Sequence, residues 1–281
     1  MRHSSISTFI ILYIAVLCSC SSAPKRPAQI MTTRQMAEGQ LLLVNTAAEQ
    51  GDFSKALALL VEARRLAVST DDPSLRVRTQ LAEGNILAEL GRGEEANAAW
   101  NKALAEAETS AQTELMALTR IYLARNALIT KETTPNEVKA SVNREIASIK
   151  NDQLAVALGW TVIGLAEKEI GGFSAAEAAF KKALDIHAKD NYLEQAAYDW
   201  YLIASARSLS GNHDSAISAL ETALDFDRRA ENTFGLASDW RLIGDIHQKF
   251  GRDAEASAAF TRCNEILAVL GQERKAQTQG L

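Results

Sequence analysis

The 281-residue chain is 47% apolar and 23% charged, sets 35 acidic side chains against 30 basic ones, and has only 15 glycines and four prolines. That apolar content and a net charge of −5 exclude a disordered chain, and three cysteines exclude a disulfide-stapled mini-protein. The acidic balance argues against nucleic acid as the partner, and the scarcity of helix breakers among many Ala and Leu predicts an all-α protein.

Residues 1–19 read as an address rather than as part of the fold. Arg2 precedes an uncharged apolar run from Phe9 to Leu17, about half of the roughly 20 residues a bilayer-spanning helix needs. The sequence Leu17-Cys18-Ser19-Cys20 resembles the lipobox of bacterial lipoproteins, with Leu17 three places before Cys20 and the small Ser19 just before it. The resemblance implies cleavage of the signal peptide ahead of Cys20 and attachment of acyl chains, palmitate among them, to that cysteine. More than one chain makes such an anchor stable, at about 0.8 kcal/mol per buried CH₂. Ser21, standing where an Asp would retain a lipoprotein at the inner membrane, implies the periplasmic face of the outer membrane in an organism with two membranes. An ordinary cleaved signal and an uncleaved anchor are the other readings of the same residues. Residues 20–35, with Pro24, Pro27, Lys25 and Arg26, follow as the lipidated cysteine and a tether.

From there the sequence repeats every 40 residues. Gly51, Gly91, Gly171, Gly211 and Gly251 are in phase, with Lys131 on the missing beat. Five residues later come Ala56, Ala96, Ala176, Ala216 and Ala256. Leu60, Trp100, Phe180, Leu220 and Phe260 follow, and then Ala63, Ala103, Ala183, Ala223 and Cys263. Upstream, Trp160, Trp200 and Trp240 share a phase, as do Ile163, Ile203 and Ile243. Gly84, Gly164 and Gly244 hold the next place, with Ala124 and Ala204 as small substitutes. Spacings of three, four and seven put each set on one face of a helix, and the in-phase glycine is suited to the left-handed turn that ends the first helix of a unit. Such a unit buries its apolar face only by stacking on neighbours. The tryptophans are expected in the core, and Cys263, in an alanine column, as a small buried residue.

These units resemble tetratricopeptide (TPR) repeats, and Trp160, Ile163-Gly164, Gly171, Phe173, Ala176, Phe180 and Ala183 follow the family signature most fully. The resemblance implies a right-handed α-α superhelix, a solenoid of about six TPR-like helix-turn-helix repeats over 36–276. The copies are phased at 37–76, 77–116, 117–156, 157–196, 197–236 and 237–276, with 277–281 as a tail. The third copy is degenerate: it lacks the glycine and restarts at Thr134-Pro135 after a longer loop. A family unit is about 34 residues long. N-cap signals at Asp72, Ser110, Asn191 and Thr233 place the additional length at the start of each first helix.

The residues for catalysis are scattered. His187, His213 and His247 fall in different repeats, and neither zinc-type spacing nor a phosphate loop nor a nucleophile elbow occurs. The expectation is a non-enzymatic protein without cofactor or metal. By resemblance, TPR first helices line a concave groove that binds peptides or envelope proteins. The outward places on them are Asn45, Asn85, Arg125, Tyr198, Tyr201, Ser205, Arg241 and Asp245. Asn45 and Asn85 hold the place of an asparagine that grips a peptide carboxylate in some relatives, but the lysine expected one turn earlier is Leu41 and Leu81, so that clamp is not supported. The whole resembles outer-membrane TPR lipoproteins of pilus or envelope assembly. The alternative is a small-ligand-binding periplasmic component associated with a transporter, which needs a closed, mostly apolar pocket. Ile266, Leu267, Val269 and Leu270 end the last repeat without a polar capping helix, which points to a homo-oligomer through that end.

Overall fold

The computed structural model describes residues 32–279; the lipobox, Cys20 and the first part of the tether lie outside them. Among the described residues there are twelve helices and no strand, arranged as six consecutive pairs. They are α1 Thr33–Glu49 with α2 Phe53–Ser69, α3 Pro73–Glu89 with α4 Gly93–Thr109, and α5 Thr113–Ile129 with α6 Pro135–Ser148. The remaining pairs are α7 Gln153–Glu169 with α8 Phe173–Lys189, α9 Leu193–Leu209 with α10 His213–Ala230, and α11 Thr233–Lys249 with α12 Asp253–Gln279.

The 40-residue period divides into two halves of 20. Gly51, Gly91, Gly171, Gly211 and Gly251 have positive φ inside the pairs, and so do Asp71, Ala111, Asn191 and Glu231 between pairs. Glycine adopts that conformation without the Cβ clash that costs other residues roughly 1–2 kcal/mol. Because glycine marks only the turn within a pair, the sequence shows 40 and hides 20. First and second helices are both 17 residues long in the first, second and fourth pairs, so the additional length is shared by both helices rather than added to the first. Three of the cap assignments change accordingly. Ser110 closes the end of α4, Asn191 is a left-handed turn residue with φ 58, and Thr233 lies inside α11, whose cap is the Asn232 side chain. Asp72 does cap α3, accepting from the Ser74 and Leu75 amides ahead of Pro73 in the first helical turn.

In the third pair Lys131 takes the left-handed place with φ 59, and α6 begins after Thr134, which forms a reciprocal capping box with Glu137. The next beat, at Asn151, is absent. Instead α6 stops at Ser148 and Ile149 is extended, and Glu114 Oε1 accepts from the Lys150 amide at 3.0 Å, the Asn151 amide at 3.1 Å and Asn151 Nδ2 at 3.0 Å. Those bonds hold the Glu114 carboxyl below the usual range.

Each helix packs on its neighbours in sequence, and first helices also meet first helices of adjoining pairs: α1 with α3, α3 with α5, α5 with α7, α9 with α11. They form the inner wall. The core between helices follows a volume rule. Gly84 faces Trp100, Gly164 faces Phe180 and Gly244 faces Phe260, so closely that a methyl on any of these glycines would overlap the ring. Where the small residue is Val44 or Ala204, the residue 16 places on is Leu60 or Leu220, all four buried. A wider helix face thus meets a smaller partner, which keeps the space between helices filled at crystal-like density. Cys263 is buried in its alanine column. The tryptophans are not equivalent, however. Trp100 is buried, whereas Trp160, Trp200 and Trp240 are half-buried, pressed against the edge of the core rather than filling it. Trp100 and Phe180, the 16-spaced partners of Gly84 and Gly164, already occupy the interior, and Lys182 Nζ lies 3.7 Å over the Trp160 ring.

Candidate binding groove

The inner wall carries three adjoining cavities of about 540, 740 and 420 Å³, all bordered by Glu49 at the end of α1. Tyr122, Glu89 and Leu154 are shared by the first two, Tyr198 and Glu194 by the last two, and Phe234 of α11 by the outer two. The curvature of the stack thus brings α1 towards α9 and α11, and the cavities form one groove rather than separate pockets.

Of the residues picked from the sequence, Asn45 and Asn85 line the 540 Å³ part, Arg125 and Tyr198 the 740 Å³ part, and Tyr198 and Tyr201 the 420 Å³ part. Ser205 accepts a hydrogen bond from Lys168 Nζ at 3.3 Å. Arg241 and Asp245 are exposed beside Tyr201 and border none of the three cavities. Leu41 and Leu81, in the place of the clamp lysines, are buried in the core.

An aromatic track runs along the groove. Trp100 Nε1 donates to Asn85 Oδ1 at 3.2 Å, and the Tyr122 ring stacks on Trp100 with centroids 5.8 Å apart. Further on, Tyr198 and Tyr201, three residues apart on α9, stack at 6.2 Å with nearly parallel planes. Tyr198 is 44% exposed, so the pair presents a ring to the groove. Burial pushes the hydroxyls of Tyr122, Tyr198 and Tyr201 up, while Arg125 draws the first two back. All three are neutral hydrogen-bonding groups near neutral pH.

Beneath the track lie buried carboxyls that helical periodicity does not mark. Asp199 of α9 is fully buried, and its Oδ2 lies 2.6 Å from His187 Nδ1 of α8. Its Oδ1 is buried without a hydrogen-bond partner. Burial pushes the Asp199 carboxyl up against the opposing pull of His187. One repeat later the same two places hold Asp227 of α10 and Asp239 of α11. Asn232 Nδ2 donates to Asp227 Oδ1 at 2.8 Å. Burial pushes Asp227 up to about 6, and burial together with the Asp227 charge pushes Asp239 up to about 8. Glu194 is raised by burial, and Glu49 by burial and the Glu194 charge. The one trace of this in the sequence is the dipeptide Asp-Trp, occurring at 199–200 and again at 239–240.

The histidines are not isolated either. His187 pairs with Asp199, and His213 Nε2 lies 3.2 Å from His247 Nδ1, with Asp214 Oδ1 on the other ring nitrogen of His213 at 2.8 Å. The helical turn and the stacking of α10 on α11 close distances that sequence separation conceals. Among the described residues no three His, Cys, Asp or Glu side chains are grouped to hold a metal ion, and no helix is long and apolar enough to cross a membrane.

Residues 200–229, from within α9 through its turn into α10, match the tetratricopeptide repeat family. The chain carries a TPR repeat. That repeat contains Tyr201 and Asp227, so the acidic end of the groove is built partly from it. No curated protein matches the sequence. Among solved structures, the chain is similar to BtubC from P. vanneervenii, with TM-score 0.56 and 17% identity over 84% of this chain and 92% of that one. It is also similar to PilW, described as a widely conserved type IV pilus biogenesis factor, with TM-score 0.51 and 18% identity over 80% and 90%. A third is Bacillus thuringiensis PlcR, solved in complex with the peptide PapR7 and DNA, with TM-score 0.53 and 11% identity over 98% and 84%. At these identities the likeness is one of fold: stacked TPR-like helix pairs.

Proposed function

We propose that this chain is a non-enzymatic adaptor, held by a lipid on Cys20 at the periplasmic face of the outer membrane. Its groove takes an extended segment of another envelope protein during envelope or pilus assembly. The observation that carries the binding role is the groove itself: three cavities joined through shared residues, floored by tyrosines and fringed by charge. Such a trough fits a peptide several residues long better than a closed pocket fits a small molecule, which disfavours the transporter-linked alternative. PilW lends support as a pilus biogenesis factor of similar fold, and PlcR as one crystallised with a peptide. The address rests on Leu17, Ser19, Cys20 and Ser21. Leu267 and Val269 are exposed on α12 and fit the contact with a second copy.

The decisive experiment places a photo-crosslinking amino acid at Tyr198 in the intact protein in its own cells, with Val61, exposed on α2, as the outer-face control. A defined envelope-protein adduct at 198 and none at 61 is expected. Equal adducts at both positions, or none at 198, reject the groove as the binding surface. Palmitate labelling that survives Cys20→Ser rejects the anchor, and a monomer in sedimentation at micromolar concentration rejects the oligomer.

A further inference from the structure

We infer that the end of the groove between α9, α10 and α11 is a subsite for a cationic side chain, arginine or lysine, of the bound peptide. The inference rests on the groove reading above and adds to it the chemistry of one residue of the ligand.

Asp227 and Asp239 are each only 2% exposed, and both border the 420 Å³ cavity with Glu49, Glu194, Tyr198 and Tyr201. Asp239 Oδ2 is buried without a hydrogen-bond partner. Its neighbour across the interface is the Asp227 carboxyl, with which it hydrogen-bonds by sharing a proton, and no other N–H or O–H of the protein serves Asp239 Oδ2. Asp227 has one oxygen bonded by Asn232, and the amide oxygen of Asn232 accepts from the Gly235 amide. The asparagine is therefore fixed and cannot turn to serve Asp239. One interface earlier the same two places are filled by a base and an acid, His187 and Asp199. At the last interface the base is missing, and an open cavity borders the acids. A guanidinium or ammonium entering from the groove would take the place beside the carboxyl that the His187 ring takes at the preceding interface. The stacked Tyr198–Tyr201 pair would flank its stem, and the negative faces of the rings favour a cation.

The groups facing Asp239 are Asp227 and Arg228 from α10 and Tyr201 from α9; Glu194 of α9 acts on Asp227, and Glu49 of α1 faces Glu194. Arg228 is already engaged, its Nη1 2.6 Å from Asp225 Oδ1, and its side chain is half exposed. A ligand cation would release the proton that keeps Asp239 neutral.

Phage-displayed random twelve-residue peptides selected on the full-length protein test this. Sequences with Arg or Lys at one fixed position are expected, and the Asp239→Asn protein, nearly isosteric with the protonated acid, should select sequences without that preference. For a synthetic winner, changing the basic residue to citrulline or norleucine should weaken binding at least tenfold to the native protein and less than twofold to Asp239→Asn. Selected peptides with no basic preference overturn this inference and leave the groove reading standing; a failure to select any peptide overturns both. Tighter binding of spermidine than of any peptide also overturns it, because the cation would then be a free polyamine. Should Asp239→Asn fail to fold, Glu194→Gln, on the half-buried rim, must cut the citrulline discrimination by at least half or the subsite is wrong.

Discussion

His187 Nδ1 lies 2.6 Å from Asp199 Oδ2 across the α8–α9 interface, and 40 residues later the same two places hold Asp227 and Asp239. In the first two interfaces those places are Ala67 with Thr79 and Ala107 with Thr119, all buried. One structural slot thus carries alanine with threonine at the early interfaces, histidine with aspartate at the fourth and two aspartates at the fifth. Both polar pairs border the groove.

Removing His187 leaves the fully buried Asp199 carboxyl without the partner of its Oδ2, in addition to the unpartnered Oδ1. His187→Ala should cost about 3 kcal/mol in urea unfolding. The double variant His187→Ala with Asp199→Thr, which installs the pair used at the earlier interfaces, should recover most of that loss. A double variant as unstable as the single one would show that the slot is tuned by its surroundings rather than by the pair.

The acid pair predicts a pH dependence. Asp239 is raised to about 8 in the folded chain from an ordinary 3.8, so between those values the native state holds a proton that the unfolded state has lost. That contribution to stability is full at low pH and disappears as pH rises through 8. His247, lowered by burial, acts in the opposite sense below about 6.5, and Asp227, raised to about 6, acts in the same sense as Asp239 around that value, which leaves pH 7–8 as the window for Asp239. Stability should fall there by at most about 1.4 kcal/mol per unit, and Asp239→Asn should flatten the slope in chemical denaturation at a series of pH values.

The hidden half-period predicts where the fold can be improved. Ala111, between pairs, and Lys131, on the one beat without glycine inside a pair, sit at φ 55 and 59, the conformation glycine holds in the other turns within pairs. Ala111→Gly and Lys131→Gly should each stabilise by about 1 kcal/mol, offset in part by the greater freedom of the unfolded chain. Gly211→Ala, at φ 88, should lose at least as much. Thermal melting curves decide the sign.

Volume matching within a pair is directly testable. Gly164→Ala pushes a methyl into the Phe180 ring and should destabilise by about 1–3 kcal/mol. Adding Phe180→Leu reproduces the Ala204–Leu220 combination of the next repeat and should restore part of the loss, read as a positive coupling in a double-mutant cycle.

The helical class, the pairing of helices and the turn at each in-phase glycine could be read in the sequence because each depends on a few consecutive residues: a 3.6-residue apolar stripe, a left-handed stop, a small residue at a crossing. Asn45, Asn85, Arg125, Tyr198 and Tyr201 could be picked as outward places for the same reason, since helical phase alone sets which way a side chain leaves its helix. The 20-residue beat was hidden because Asp, Ala, Asn and Glu take a conformation that only glycine advertises. The Trp160, Trp200 and Trp240 columns marked a constant position but not its depth, which the neighbouring helix decides.

What only the tertiary structure decided is the convergence of Glu49, Glu194, Asp227 and Asp239, drawn from four helices of three helix pairs. No local pattern encodes it, because it arises when small rotations between successive pairs add up and bring α1 towards α9 and α11. Sequence periodicity prescribes each step of the stack; where the stack meets itself, and so which acids lose their water together, is a property of the accumulated curve.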